Sequence, residues 1–198
     1  MAPSPTLLEL VLASSSRYRR ELLERLRLPF RMVAAGIDEA QRADESPRAL
    51  AQRLAHAKAS AAAAMAQNAW VIGSDQVAAT ADRTLGKPQT REACIEQLSF
   101  ASGRTVEFLT ACCVLRYANR EAFQHIDTTR VRFRALKADE IARYVDVERP
   151  FDCAGGFKCE GLGIALFESI ESRDPTALIG LPLIWLAATL RGCGFVVP

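Results

Sequence analysis

The stretch at residues 70–79 reads Trp-Val-Ile-Gly-Ser-Asp-Gln-Val-Ala-Ala. A short apolar run of this length predicts a buried β-strand. Its centre nevertheless carries Asp75, and burying a carboxylate costs free energy unless it is paired, hydrogen-bonded or bound to a metal. We therefore interpret Asp75 as a candidate functional residue in the middle of a strand.

The patterns on either side of this strand alternate between extended and helical periodicity. They predict strands at residues 7–13, 30–33, 105–117 and 123–133, the last two joined as a hairpin. They predict helices that begin after Ser14–Ser16 and end before Pro29, that start at Ser46-Pro47, and that cover residues 90–100, 139–147 and 182–191. The glycine-rich residues 155–167 predict a loop that leads into a further strand. The alternation indicates a mixed α/β fold, which we expect to form one domain over residues 1–198 with a loose tail at residues 1–6.

The composition excludes several classes of protein. Apolar residues make up 49% of the 198 residues, charged residues 24%, and the net charge is +2. This balance is ordinary for a globular protein, and we expect neither nucleic acid nor a membrane as a partner. The six cysteines form no C-x-x-C pair and there are only two histidines, which argues against a zinc site. The early apolar run 7–13 is too short to cross a bilayer and no basic segment precedes it, so we expect a cytoplasmic location.

A basic segment lies where the first strand gives way to the first helix, and it reads Ser14-Ser15-Ser16-Arg17-Tyr18-Arg19-Arg20. Helix N-termini present free N–H groups and a positive dipole end, which normally disfavours arginine there. Three arginines at such a place indicate a bound anion such as phosphate. A solvated basic face is the alternative interpretation.

Four further places in the sequence carry polar groups suited to phosphate chemistry. They are Asp38-Glu39, Lys58, Gly86-Lys87-Pro88, and the glycine-rich segment 151–163 that contains Glu160. Each has an ordinary alternative: an acidic pair facing water, a lysine that extends its amine to solvent, a turn, or a twisted strand with bulges. The chain has no P-loop, no G-x-G-x-x-G fingerprint, no Ser-His-Asp set and no cysteine with a histidine partner. Metal-assisted attack of water on phosphate is the chemistry that these residues favour.

Over residues 10 to 190 the chain resembles the Maf family of nucleotide pyrophosphatases. The matching pieces agree in order and spacing, and they are Leu12-Ala13-Ser14 with Arg19, Asp38-Glu39, Leu54-Ala55 with Lys58-Ala59, Gly73-Ser74-Asp75, Gly86-Lys87-Pro88 and Gly180-Leu181-Pro182-Leu183. At the family's three variable, substrate-linked positions this chain has Tyr18, Gln76 and Glu160, which resembles the subgroup that hydrolyses 7-methyl-GTP. That subgroup usually has proline and tryptophan where this chain has Arg17 and Tyr18.

The resemblance implies a fold, a reaction and a role for each site residue. The fold is an elongated twisted sheet flanked by helices, as in Maf proteins and inosine triphosphatases, with a cleft between two lobes. Asp75 acts as general base, and Glu39 with Asp75 holds Mg²⁺ or Mn²⁺. Phosphates are bound by Ser14, Arg19, Lys58 and Lys87, and the base is recognised by Tyr18, Gln76 and Glu160. The resemblance also implies a nucleotide substrate, a house-cleaning role and a homodimer.

Elementary chemistry is consistent with a methylated guanine as the base. Methylation at N7 gives the ring a positive charge, which favours an aromatic face such as that of Tyr18. Guanine also offers N1–H and an exocyclic amine as donors, both of which a carboxylate such as Glu160 can accept. The alternatives are the same reaction on dTTP, UTP or inosine triphosphate, and a non-catalytic nucleotide sensor that acts in septum formation.

Overall fold

The computed structural model of the chain describes residues 8–198, so the predicted tail at residues 1–6 lies outside the described residues. The helices are α1 (Arg17–Glu24), α2 (Pro47–Met65), α3 (Arg91–Ala101), α4 (Ala138–Glu148) and α5 (Leu183–Gly192). The strands are β1 (Leu10–Leu12), β2 (Arg31–Met32), β3 (Trp70–Ala79), β4 (Thr84–Leu85), β5 (Thr105–Arg116), β6 (Glu121–Phe133) and β7 (Phe167–Glu171). Short 3₁₀ turns lie at Ala154–Gly156, Leu162–Leu166 and Ala177–Ile179.

The strands of this described part form one sheet in the order β2-β1-β3-β5-β6-β7, with β4 also paired to β3. Strand β1 runs parallel to β2 and to β3, whereas β3, β5, β6 and β7 pair in antiparallel fashion. The predicted hairpin is the β5–β6 pair, and helices pack against the sheet. The predicted mixed α/β fold is therefore confirmed.

Strand β3 is paired unevenly along its two edges. One edge pairs with β5 along the whole strand, from Trp70 to Ala79. The other edge pairs with β1 only up to Ile72 and with β4 only from Ala78 onward. Within residues 8–198, no strand covers this edge between those two points, so the sheet splits beside residues 73–77.

Alternate residues of β3 face opposite sides of the sheet, as the pleat requires. Val71 and Val77 pack in the same apolar cluster as α2, whereas Trp70 and Ile72 pack with α1 and α5. By this alternation Asp75 lies on the α2 side and Gln76 on the opposite side. The α2 backbone approaches β3 most closely at Gly73, where a Cβ atom would lie 2.2 Å from the carbonyl oxygen of Ala55.

The end of the first helix and the short strand β4 are where the structure differs most from the prediction. The sequence predicts a first helix up to Pro29, but α1 ends at Glu24 because the following residues form tighter i→i−3 hydrogen bonds and Arg27 takes a left-handed φ of 56°. Strand β4 is not predicted, because two residues are too short to show a period. Across residues 8–198, no helix combines the length and apolarity needed to cross a lipid bilayer.

Candidate active site

The split in the sheet opens into a cleft of about 350 Å³. Eight of the nine residues selected from the sequence line it, namely Tyr18, Arg19, Glu39, Lys58, Asp75, Gln76, Lys87 and Glu160. The ninth, Ser14, lines an adjoining hollow of about 440 Å³, which shares Tyr18, Arg19, Glu39, Lys58 and Lys87 with the cleft. The fold thus brings together residues that lie far apart in the chain.

Lys58 lies between the two carboxylates. Its Nζ donates to Oδ1 of Asp75 at 2.7 Å and contacts Oε1 of Glu39 at 2.8 Å. The side chains of Lys58 and Asp75 are each only 10% exposed, and such burial is tolerated because the two charges are paired. Among the described residues, Oδ2 of Asp75 has no hydrogen-bond partner, so this oxygen is available to a water molecule in the cleft.

The electrostatic surroundings keep Glu39 ionised. Burial acts to raise the pKa of this carboxyl, but the hydrogen bond and charge of Lys58, together with the charges of Lys87 and Arg19, lower the pKa below its ordinary value. Three cations thus act on one carboxylate. A group of three cations around one carboxylate suits a ligand that carries several negative charges, such as a polyphosphate.

Two of these cations keep donors free for a ligand. The Nε of Arg19 donates to the carbonyl of Gly180 at 3.1 Å, which fixes the guanidinium and leaves its terminal nitrogens unpaired within residues 8–198. Lys87 is exposed at the cleft and forms no ion pair with the described residues. Both cations are therefore available to bind an anion.

The N-terminus of α1 adds backbone donors to the same region. Ser16 is the N-cap, and its Oγ accepts from the N–H of Arg19 at 3.4 Å. The buried Ser14 accepts from the N–H of Ser16 at 3.1 Å. The first turn contains no acidic residue, so the positive end of the helix dipole is not compensated by the helix itself.

The amide of Gln76 has a fixed orientation. Its Nε2 donates to the carbonyls of Ala177 at 3.1 Å and Leu178 at 3.0 Å, and it lies 2.9 Å from Oγ1 of Thr110. Thr110 in turn donates to the carbonyl of Ala177, so its oxygen serves as an acceptor for Gln76. Because these partners are acceptors, Oε1 of Gln76 must point away from them, and it has no partner within the described residues. Gln76 thus presents an acceptor at the cleft.

Tyr18 lies at the boundary between the cleft and the hollow, and it already carries a cation. The guanidinium of Arg17 lies 4.7 Å from the centre of the Tyr18 ring and donates to the Tyr18 hydroxyl at 2.7 Å. The Tyr18 hydroxyl is also 3.5 Å from Oδ1 of Asp152. Burial raises the pKa of Tyr18 well above its ordinary range, so its hydroxyl stays protonated. The ring thus lies against the guanidinium of Arg17 and close to the carboxylate of Asp152.

Glu160 is exposed at the edge of the cleft. The cleft also has an apolar wall that includes Phe108, Phe157 and Leu178. Its Oε2 accepts from the thiol of Cys159 at 3.4 Å. Burial raises the pKa of Cys153 and Cys159, the two cysteines that line the cleft, to about 12. Burial therefore disfavours the thiolate form of both cysteines, which argues against a cysteine nucleophile in this cleft.

Sequence reasoning missed four residues that contribute to this site, two through their side chains and two through backbone carbonyls. Asp152 lies in the glycine-rich segment, where only Glu160 was selected. Thr110 is a polar residue inside the apolar strand β5, and that contrast is a signal that could have identified it. The carbonyl groups of Ala177 and Leu178 carry no sequence signal, because any residue type provides a carbonyl.

A family model described as "Maf-like protein" matches residues 9–193 of the chain. The chain belongs to the Maf family. Its relatives include proteins named 7-methyl-GTP pyrophosphatase from Xanthomonas axonopodis pv. citri, Alcanivorax borkumensis and Pseudomonas aeruginosa. The first is 53% identical over 189 residues, which cover 96% of this chain and 98% of the relative. The second is 50% identical over 195 residues, covering 98% of each chain, and the third is 50% identical over 190 residues, covering 96% and 99%.

The fold of this Maf chain also occurs outside the family. The solved structure of the Staphylococcus aureus Ham1 protein aligns with a TM-score of 0.51 at 16% sequence identity, covering 93% of this chain and 98% of that chain. At such a low identity the likeness concerns the fold alone. It agrees with the mixed α/β architecture that the sequence predicts.

Whether the Maf cleft fits a divalent metal depends on which ligand side chains converge there. Within residues 8–198, no group of three or more His, Cys, Asp or Glu side chains is arranged to hold a metal ion. Two carboxylates, Glu39 and Asp75, do converge on one point, where Lys58 now contacts both. Mg²⁺ is commonly bound by one or two carboxylates that share it with substrate phosphates and water. The donor set therefore fits a metal that is bound jointly by protein and nucleotide.

Proposed function

We propose that this chain is a nucleoside triphosphate pyrophosphatase that hydrolyses 7-methyl-GTP to 7-methyl-GMP and pyrophosphate. Relatives with this name match nearly the whole chain at about 50% identity. The observation that carries the proposal is Asp75, which is held by Lys58 on one oxygen and has the other available, in a cleft shared with Arg19 and Lys87.

In this proposal the cations and the helix terminus bind the triphosphate. Arg19, Lys58 and Lys87 neutralise its charge and the charge that develops on the departing pyrophosphate. Ser14 and the N–H groups at the start of α1 bind phosphate oxygens. Arg19 is well suited to the task, because its bond to Gly180 orients the guanidinium before substrate arrives.

Asp75 is the general base of the proposed reaction. Its free Oδ2 removes a proton from water as the water oxygen attacks the α-phosphorus. The bond from the α-phosphorus to the bridging oxygen breaks, and pyrophosphate departs with both electrons of that bond. The ammonium of Lys58 keeps the carboxylate oriented through Oδ1.

Glu39 and Asp75 are the residues that would hold Mg²⁺ or Mn²⁺. When bound, the ion supplies charge neutralisation for the polyphosphate and the leaving group. Glu39 is suited to this role because its lowered pKa keeps it ionised near neutral pH.

The end of the cleft that binds the base in this proposal favours a ring that presents hydrogen-bond donors and carries a positive charge. Oε1 of Gln76 and the carboxylate of Glu160 are both acceptors, which match the N1–H and exocyclic amine of guanine. Tyr18 lines the cleft, and its aromatic ring offers a face to a cation such as a 7-methylated purine. We also propose a cytoplasmic, homodimeric enzyme of one domain that removes modified nucleotides from the pool.

A pyrophosphate-release screen tests the function. The purified chain would be supplied with 7-methyl-GTP, GTP, inosine triphosphate, UTP and dTTP, with and without Mg²⁺, and we expect the highest kcat/KM for 7-methyl-GTP with Mg²⁺. A preference for UTP or dTTP would support the same reaction on another base. Binding without pyrophosphate release from any nucleotide would support a sensor instead.

The role of Asp75 is tested separately with Asp75→Asn. We expect this variant to lose turnover by at least about 10²-fold while it still binds nucleotide in a calorimetric titration, because asparagine keeps the shape of the side chain but cannot accept the proton. A variant that retains turnover would rule out Asp75 as the base.

A further inference from the structure

The backbone of the segment between β7 and α5 contacts side chains that we assign to both ends of the proposed substrate. The carbonyl of Gly180 accepts from Nε of Arg19 at 3.1 Å and from Oγ of Ser74 at 2.9 Å. Three residues earlier, the carbonyl of Ala177 accepts from Gln76. One short segment therefore orients a cation at the phosphate end and an amide at the base end.

A buried carboxylate outside the cleft holds this segment in place. Asp174 is only 3% exposed and does not line the cleft. Its Oδ1 accepts from the N–H of Thr176 at 2.9 Å and from the Thr176 hydroxyl at 2.6 Å. Its Oδ2 accepts from the N–H of Ile184 at 2.7 Å, in the first turn of α5. Asp174 thus joins the segment to the helix that follows it.

Thr176 completes this connection. Its Oγ1 accepts from the N–H of Leu183 at 2.9 Å and lies 2.8 Å from the carbonyl of Leu181. Pro182, at the N-cap position of α5, provides no side-chain cap. Asp174 and Thr176 therefore take the place of the missing cap, and they satisfy backbone donors that a helix start leaves free.

We propose that Asp174 and Thr176 are positioning residues, which set base selectivity by holding the carbonyls that orient Gln76 and Arg19. This inference rests on the proposed function, since it assigns Gln76 to base recognition. Neither residue lines the cleft, so both act through the backbone of residues 174–183. If the segment shifts, Nε2 of Gln76 loses its fixed acceptors and Oε1 is no longer presented to the base in one orientation.

The variants that test this positioning role most directly alter Thr176. Thr176→Val keeps the shape of the side chain but removes the hydroxyl, which leaves the N–H of Leu183 without its acceptor and Asp174 with one donor fewer. Thr176→Ser keeps the hydroxyl and serves as the conservative rescue. Asp174→Asn keeps one oxygen for Thr176 but places an amide where a carboxylate oxygen accepts from Ile184.

The measurement is the ratio of kcat/KM for 7-methyl-GTP to kcat/KM for UTP on a single preparation. This ratio does not depend on the fraction of folded enzyme, so a purely structural defect leaves it unchanged. We expect Thr176→Val to lower the ratio about tenfold, the effect of about one lost hydrogen bond. We expect Asp174→Asn to lower the ratio by a similar factor, and Thr176→Ser to keep the wild-type ratio.

The control is Thr90→Val, which removes the N-cap of α3, a threonine whose Oγ1 accepts from the N–H of Ala93 at 3.2 Å. This variant should lose stability but keep the wild-type ratio. If Asp174→Asn does not fold, the Thr176 pair still decides the question. An unchanged ratio in Thr176→Val overturns the positioning role. If the wild type releases no pyrophosphate from any nucleotide, the proposed function itself has failed.

Discussion

Adding one methyl group at Gly73 should displace the helix that carries Lys58. An ideal Cβ at this position would lie 2.2 Å from the carbonyl oxygen of Ala55 and 2.6 Å from the backbone nitrogen of Ala59. These atoms belong to the α2 backbone, which cannot move aside as a flexible side chain would. Since ordinary contact begins near 3.4 Å, α2 must shift by about 1 Å to accept Gly73→Ala.

Such a shift has two measurable consequences. Overpacking of this kind costs about 1–3 kcal/mol of the free energy of unfolding. The movement also disturbs the contacts of Lys58 with Asp75 at 2.7 Å and with Glu39 at 2.8 Å, and a misplacement of about 1 Å in an active site can lower activity about 10²-fold. We therefore expect both stability and kcat/KM to fall.

Urea denaturation followed by tryptophan fluorescence and a pyrophosphate-release assay measure the two effects. The matched control is Gly192→Ala in α5, where an added Cβ meets nothing within 4 Å. It should keep wild-type activity and change the free energy of unfolding by no more than about 1 kcal/mol, in the stabilising direction. If Gly73→Ala unfolds at the wild-type urea concentration and keeps kcat/KM within about twofold, the close packing of α2 on β3 is refuted.

Three further variants test the charges of the molecule. Glu160→Gln should lower kcat/KM for 7-methyl-GTP and raise it for UTP or dTTP, with a change in discrimination of about 1–3 kcal/mol, and unchanged selectivity in the nucleotide panel would show that Glu160 does not contact the base. Lys58→Met should reduce turnover at least about 10²-fold, because it removes the cation that contacts both carboxylates. It should also let Glu39 and Asp75 bind Mn²⁺ without nucleotide, which electron paramagnetic resonance would detect as loss of the free-ion signal. An undiminished signal would contradict the shared carboxylate site. Asp127 is buried, and its Oδ1 has no partner among the described residues. Burial, followed by the charge of Asp174, raises the pKa of the Asp127 carboxyl above its ordinary value. The folded state therefore favours the protonated form, and the stability that this form contributes is lost as pH rises through the folded-state pKa. Asp127→Asn should therefore be more stable than the wild type at pH 7, with a difference that narrows as pH is lowered, and a difference independent of pH in urea titrations would count against this explanation.

Much of the fold could be predicted because its signals are local. The predicted strand at residues 70–79 coincides with β3, and α2 begins at Pro47 with Ser46 as its N-cap, as the Ser-Pro pair indicates. The predicted helix at residues 90–100 differs from α3 by one residue at each end, since Thr90 serves as the cap. Caps and hydrophobic periods depend on residues within about two turns, so one sequence is enough to identify them.

The selection of site residues had a different basis. A carboxylate inside an apolar strand identified Asp75 from physical chemistry alone, and arginines beside a helix start indicated an anion site. The family resemblance then assigned roles to Glu39, Lys58 and Glu160, whose own sequence surroundings have ordinary alternatives. The fold places Asp75, Arg19, Glu39, Lys58 and Glu160 around one cleft, whereas Arg20 lies outside it and pairs with Glu24. The variants above test the proposed roles.

The sequence by itself determined the longer strands, most of the helices and which polar groups are costly to bury. Only the tertiary structure decided that β1 and β4 leave a gap beside Asp75, that Lys58 bridges two carboxylates, and that Gln76 is held by carbonyls about 100 residues away. The physical reason is range. Caps and periodic patterns act between near neighbours, whereas strand pairing and backbone carbonyl contacts join distant residues whose side-chain identities do not encode the partner.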